Sequence, residues 1–449
     1  MPEFGTSRRS VLKTVGAAGV AGLAGCAGLG GSDNPDTMKI GVMQPLSGNI
    51  AYYGQQSLWG FLSGLAYKGD TDPIAEPSTG THEMEVGDTT YELVIRDSKF
   101  KADVAQSIAT DLVTEEEVDV LFGCASSGAA RRVINTVLGE TDVPYMAGPA
   151  ASAGITSNTE TCSDQVFRAS ENTAMDARSG GKYVAEQSDV SSVYLFGADY
   201  SFGRAVVNNY ERVLKDAGVE IVGKRFVARG HSEWQGLLDQ AEQAGAGGVV
   251  GGFTVATLPA MFSQFLQGDY SYRLFGGFAT EISNAALGQT LVKELGEPLT
   301  EEKLQGVKAG PFTTRYHWNQ YDNDINSDFV EMYSSAYGKV PDLFSGGTFT
   351  AASAIVQAVQ ANSSTDAGDI IDALTGMTVA DTPKGEGAYT FQSYNNQAQS
   401  EMTVANVTPT TDEWSDTWAA PIMPSDPVAR VPGEQATIPE DGDQMDCEL

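Results

Sequence analysis

The residues with the clearest chemical promise stand in a row, Ser126-Ser127-Gly128, after an apolar run from Val118 to Gly123 and before a stretch of helical pattern. A strand that ends in glycine and passes through serines into a helix presents hydroxyls and free backbone N–H groups at a helix N-terminus, which suits a carboxylate. Ser127 is therefore the first candidate ligand contact, beside the plainer reading in which a serine only caps the helix. Covalent chemistry has less to work with. His82, His231 and His317 lie in unrelated contexts, so neither a histidine-centred triad nor a histidine-rich metal site is suggested. Ser10-Val11-Leu12-Lys13 and Ser32-Asp33-Asn34 match two elements of penicillin-binding enzymes, yet both fall in a leader and tether where no fold would hold them. Gly245 to Gly252 lacks the Lys-Ser/Thr of a phosphate loop and reads as tight strand packing. The run Glu115-Glu116-Glu117 reads as a helix end facing water, with calcium as a remote option. No catalytic residue, metal ligand or cofactor is predicted.

The elements that must position Ser127 follow a βα rhythm. Strands are predicted at Lys39–Pro45, Tyr91–Arg96, Val118–Gly123 and Val143–Ala147, with helices at Tyr53–Tyr67, Ala102–Thr114 and Ala129–Leu138. After Val166-Phe167-Arg168 the rhythm restarts: helices Ala174–Gln187 and Gly203–Ala217, strands Ser192–Phe196, Ile221–Val227, Gly247–Phe253 and Tyr272–Gly276. Beyond Ala309 come helical patterns at Asp328–Tyr337, Thr348–Gln360 and Gly368–Thr375 and a strand at Tyr389–Phe391. Two rounds of one rhythm imply an α/β protein of two similar Rossmann-like lobes, with ligand in the cleft at the carboxyl ends of the strands. The length, 449 residues with 41% hydrophobic, also suits two cores better than one.

Against 27 Lys and Arg stand 59 Asp and Glu, a formal charge of -32. That balance excludes a nucleic-acid partner and suits a halophile protein working in molar salt, where screening shortens to about 3 Å. The N-terminus carries Ser7-Arg8-Arg9-Ser10-Val11-Leu12-Lys13, an apolar Gly/Ala-rich run and Leu23-Ala24-Gly25-Cys26. It resembles a twin-arginine export signal ending in a lipobox, which makes Cys26 the lipidated first residue of the mature chain and residues up to 37 signal and tether. No other segment reads as transmembrane. Of the remaining cysteines, Cys162 and Cys447 are expected to pair, because both lie in polar loop or tail sequence outside the cell.

The chain resembles the branched-chain amino acid and amide family of type I periplasmic-binding proteins, the Leu/Ile/Val-binding type. The resemblance rests on Lys39-Ile40-Gly41-Val42 through Pro45-Leu46-Ser47-Gly48, then Tyr53-Gly54, Phe122-Gly123-Cys124-Ala125-Ser126-Ser127-Gly128, Gly148-Pro149-Ala150-Ala151-Ser152, Asp199-Tyr200-Ser201-Phe202-Gly203, Gly251-Gly252-Phe253, and Gly385 to Gln397. It implies a substrate-binding protein of an ABC importer, not an enzyme, whose two lobes, joined by a multi-crossover hinge, close over a branched-chain or related amino acid in the cleft and present it to a membrane permease. It places Ala150 and Ser152 beside Ser127 at the ligand. Phe202 and Phe253 fall where the family often has tyrosine, so they can cover an aliphatic side chain but cannot donate a hydroxyl hydrogen bond. Tyr53 or Tyr200 would then supply the polar contact, and Glu281 is the candidate partner for a ligand ammonium group. By the same resemblance the first lobe spans 38–172 plus 311–377, the second 173–310 plus 378–410, and 411–449 is an acidic tail wrapping the surface. A monomer is expected. A urea or short-amide binder, a ligand sensor and an anchored extracellular hydrolase are the alternatives.

Overall fold

The computed structural model describes residues 37–276 and 280–449. The predicted export signal, tether and lipidated Cys26 lie outside the described residues, and among the described residues no helix is long and apolar enough to cross a membrane.

Ten strands build two sheets. The first orders as β2 (Gly80–Val86), β3 (Thr89–Asp97), β1 (Thr37–Gln44), β4 (Val120–Gly123), β5 (Tyr145–Ala147) and β6 (Val166–Arg168). All neighbours run parallel except β2, an antiparallel edge strand the sequence reading did not anticipate. Its alternating Thr-His-Glu-Met-Glu-Val buries only Met84 and Val86, so apolar content alone was too thin a signal. Central β1 carries Met38, Ile40 and Val42 fully buried, as a strand covered on both faces requires. The second sheet orders as β10 (Arg273–Phe275), β9 (Gly248–Gly252), β7 (Ser192–Ala198) and β8 (Glu220–Val227), all parallel. Two α/β layers of this kind form the predicted mixed fold.

Helix Ala51–Gly69 packs along helix Leu343–Asn362 on the first sheet. The approach is close enough that a Cβ on Gly60 would stand 2.4 Å from the Ser345 carbonyl oxygen. The second of these helices begins at Leu343, not at the predicted Thr348, because the Asp342 side chain caps it by accepting from the Phe344 N–H at 3.2 Å, and Gly346-Gly347 lie inside it.

Beyond the two sheets, β11 (Phe312–Thr313), β12 (Thr378–Val379), β13 (Tyr389–Phe391), β14 (Ala398–Gln399), β15 (Met402–Ala405), β16 (Val407–Pro409), β17 (Ile422–Pro424) and β18 (Ala429–Val431) form three small antiparallel sheets. One assignment needs correction. The stretch 378–399 does not join the second lobe, because Val379, Tyr389, Phe391 and Ala398 are buried in one core with Met38, Ile40 and Phe122 of the first. Residues 411–449 supply β17, β18 and a short helix, Gly433–Ala436. Near their end Cys447 is joined by a disulfide to Cys162, with Cα atoms 5.8 Å apart.

Candidate functional site

The two lobes meet over a small, partly open cavity. Its floor is made where β4 ends. Gly123 has φ +141°, and a Cβ there would sit 2.2 Å from the Met43 carbonyl oxygen, so only glycine turns the chain here. Ser126 follows with extended backbone and caps the helix Ser127–Thr136, its Oγ accepting from the Ala129 N–H at 3.4 Å. The capping duty thus belongs to Ser126. Ser127, one residue on and 2% exposed, keeps its hydroxyl free of it and lines the cavity. Its Oγ accepts from the Ser152 N–H at 3.1 Å, which leaves the hydroxyl hydrogen to donate. The first N–H groups of the helix lack intrahelical acceptors and point the same way, so the corner favours an anionic oxygen.

The predicted neighbours of Ser127 are present with their roles partly changed. Ser152 reaches it through the hydrogen bond just described. The carbonyl of Ala150, proposed as a ligand contact, is instead taken by the Arg168 Nη1 at 2.8 Å, and Pro149 and Ala151 line the cavity in its place. Arg168 enters the sequence analysis only as the point after which the βα rhythm restarts; nothing in its local sequence marks it, since its partners come from residues 150, 152, 156 and 397.

Aromatic rings close the rest. Tyr53, on helix Ala51–Gly69, lies edge-on to Phe344 at 5.0 Å between centroids, and its hydroxyl accepts from the Val255 N–H of the second lobe at 3.0 Å. Burial raises its phenol strongly, as it does that of Tyr200, so both are neutral hydrogen-bonding groups. Tyr200 and Phe202 enter from the second lobe, at the start of helix Ser201–Asp216, with centroids 6.0 Å apart. Phe202 also packs with Ala151, and Val255 and Ile282 pack with Tyr53, Leu343 and Phe344, so the lobes touch on both sides of the cavity. Phe100, Ala125 and Thr254 complete the wall.

Besides Ala150 and Ser152, which are not among the residues lining it, two further predicted contacts are not brought to the cavity. Phe253 turns into the second lobe's core, edge-on to Trp234 at 5.0 Å, and its successor Thr254 lines the cleft. Successive side chains on an extended segment face opposite ways, so an error of one residue exchanges core for cleft. Glu281, 7% exposed, opens helix Glu281–Leu295 behind the wall. Its Oε1 accepts from Lys339 Nζ at 2.9 Å while its Oε2 is buried without a partner, and its N–H donates to Asp342 Oδ2 at 3.2 Å. Asp342 also accepts from the Tyr52 hydroxyl, and burial pushes its carboxyl up to about 6. Sequence reasoning missed Asp342 and Phe344 because the helix start was set five residues late.

An interlobe pocket with hydrogen-bond donors at one end and rings around the rest suits a small molecule; no nucleophile and base are brought together among the described lining residues. Comparison with known proteins agrees with this geometry. A family model described as periplasmic binding protein matches residues 37–413. The Leu/Ile/Val-binding protein homolog 6 of Brucella abortus (strain 2308) is 28% identical over 348 residues, 76% of this chain and 81% of that one. The crystal structure of an ABC-type branched-chain amino acid transporter protein from Rhodopseudomonas palustris superposes with a TM-score of 0.68 at 22% identity, covering 90% of this chain and 99% of that one. A solute-binding protein of an ABC transporter from R. palustris in complex with 4-hydroxybenzoate gives 0.71 at 18%, covering 89% and 98%. The chain belongs to the periplasmic binding protein family and has its type I fold.

Proposed function

We propose that the protein captures a small monocarboxylate with an apolar body by closing its two lobes over it, and hands it to the membrane permease of an ABC importer. The carrying observation is the lining: Ser127 at a helix N-terminus faces the rings of Tyr53, Phe100, Tyr200, Phe202 and Phe344, with no carboxylate side chain among the described residues that line the cavity. A carboxylate head suits the helix end, and an aromatic or branched aliphatic body suits the rings. Ser127, Ser152, Ala151, Tyr53, Tyr200 and Phe202 are the ligand-binding residues of this reading.

Between the ligand types carried by the relatives' names, the lining favours an acid without an ammonium group, such as a benzoate. An ammonium ion in that apolar space would need an anion, and the predicted partner, Glu281, is already held by Lys339. The branched-chain amino acid remains the second reading, supported by the buried, unpartnered Oε2 of Glu281. L-leucine and 4-methylpentanoate, its counterpart lacking the amino group, separate the two. Isothermal titration in molar salt should give 4-methylpentanoate or benzoate the tighter binding; tight binding of L-leucine with none of 4-methylpentanoate would restore the amino acid and make Glu281 its partner.

The same reading gives the chain a lipid anchor at Cys26 after twin-arginine export, so that it works as a monomer on the outer face of the cytoplasmic membrane in a salt-rich habitat. The sequence at 7–13 and 23–26 and the charge of -32 support it. Intact-mass analysis of the membrane fraction tests it: a mature chain beginning at a diacylated Cys26 is expected, and an unmodified N-terminus or a retained leader would refute it.

A further inference from the structure

Arg168 ends β6 and is fully buried, yet among the described residues no carboxylate pairs with it. Its Nη1 donates to the carbonyls of Ala150 at 2.8 Å and Ser152 at 2.7 Å, its Nη2 to Thr156 Oγ1 at 3.0 Å and its Nε to Gln397 Oε1 at 2.7 Å. Every acceptor is neutral. The buried charged pairs, Asp176 with Arg315 and Glu171 with Lys384, engage each other and leave Arg168 aside. A buried, unpaired guanidinium is costly, and burial with the neighbouring Arg315 charge pulls its pKa down to about 9. Such an expense calls for something the fold gains.

The gain lies in the loop it grips. In a trans peptide the C=O and N–H point opposite ways, so fixing the Ala150 carbonyl on Arg168 turns the Ala151 N–H to the other side. Ala151 lines the cavity, and no acceptor for its N–H is present among the described residues. The next peptide is turned separately, its Ala151 carbonyl accepting from the Thr173 N–H at 2.8 Å and its Ser152 N–H aimed at Ser127. We propose that Arg168 is a positioning residue for the carboxylate end of the cavity: its fork presents the Ala151 N–H to the ligand, and its unpaired charge, one peptide behind, selects an anionic head over a neutral one. This rests on the reading of a carboxylate ligand given above.

The test is the titration of the full chain and its Arg168→Met and Arg168→Lys variants in molar salt with two pairs of probes, benzoate with benzamide and L-leucine with L-leucinamide. Wild type should prefer the acid of whichever pair it binds. Arg168→Met should lose tenfold or more in affinity for the acid while changing less than threefold for the amide, and Arg168→Lys, which keeps charge but not the fork, should fall between. Equal loss for acid and amide would mean that Arg168 serves only the fold, and unchanged binding would overturn the proposal outright. Should wild type bind none of the four, the ligand reading fails separately. Amide hydrogen exchange then decides on Arg168: residues 148–153 should exchange at least tenfold faster in Arg168→Met, or in Arg168→Lys if the former does not fold, while β4 is unchanged. Unchanged exchange in that loop would refute the positioning role.

Discussion

The Tyr53 hydroxyl accepts a hydrogen bond from the Val255 N–H at 3.0 Å, joining the helix that covers the first sheet to the segment that leaves the second. One side-chain contact thus spans the cleft directly beside the cavity that Tyr53 lines. Tyr53→Phe keeps the ring against Phe344 and removes the acceptor. A single hydrogen bond of this kind is worth about 1 kcal/mol, so affinity for the bound ligand should fall roughly fivefold with little loss of melting temperature. Titration and thermal melting of the variant check this; unchanged affinity would mean that the bond has no part in closure.

Ser126 and Ser127 divide two duties that the sequence could not separate. Ser126→Ala removes a helix cap and should cost about 1 kcal/mol of stability, read by chemical denaturation. Ser127→Ala should instead weaken ligand binding about tenfold, because it removes both a donor to the carboxylate and the acceptor that aims the Ser152 N–H. If Ser126→Ala were the variant that lost binding while Ser127→Ala kept it, the assignment would be reversed.

Asp342 links the hinge side of the cleft to pH. Its carboxyl, raised by burial to about 6, is protonated more readily in the folded chain than in the unfolded one. The stability this contributes is fully present below about pH 4 and is lost as pH rises through about 6. Asp342→Asn, whose single amide oxygen can still cap the helix while its NH2 can only donate to the Tyr52 hydroxyl, should therefore gain on wild type between pH 4 and 7, by on the order of 3 kcal/mol at most. Paired denaturation curves across that range test it; a constant difference would show that Asp342 does not titrate there.

The βα rhythm was legible because each strand of the parallel sheets is a short apolar run and each covering helix keeps its period, as at Val120–Gly123 followed by Ser127–Thr136. What escaped was set by tertiary context. Phe253 and Thr254 differ by one residue and by which side of the chain faces the cleft, and no local pattern at the end of β9 decides between them. Arg168 is defined by loop carbonyls outside its own strand and by Gln397, 229 residues away, and residues 378–399 by a core shared with the first strand. Phe344 became visible only once Asp342 was seen to start its helix.

The bond between Cys162 and Cys447 closes the chain across a sequence separation of 285. Reducing it, or replacing Cys447 by serine, should lower stability by about 2–4 kcal/mol. Denaturation with and without reductant measures the loss, and identical curves would argue against the bond in solution. Cys124 offers an internal control: burial pushes its thiol up to about 12, so it should resist iodoacetamide until the chain unfolds.

The central claim, a carboxylate held between the lobes at Ser127, is tested most directly by thermal shift of wild type and Ser127→Ala in molar salt against L-leucine, L-isoleucine, L-valine, benzoate, 4-hydroxybenzoate, urea and acetamide. At least one carboxylate should stabilise wild type by about 2.7 kcal/mol at a hundredfold excess over its dissociation constant, and the shift should largely vanish in Ser127→Ala. A shift with urea or acetamide alone, or a carboxylate shift indifferent to Ser127→Ala, would contradict the account.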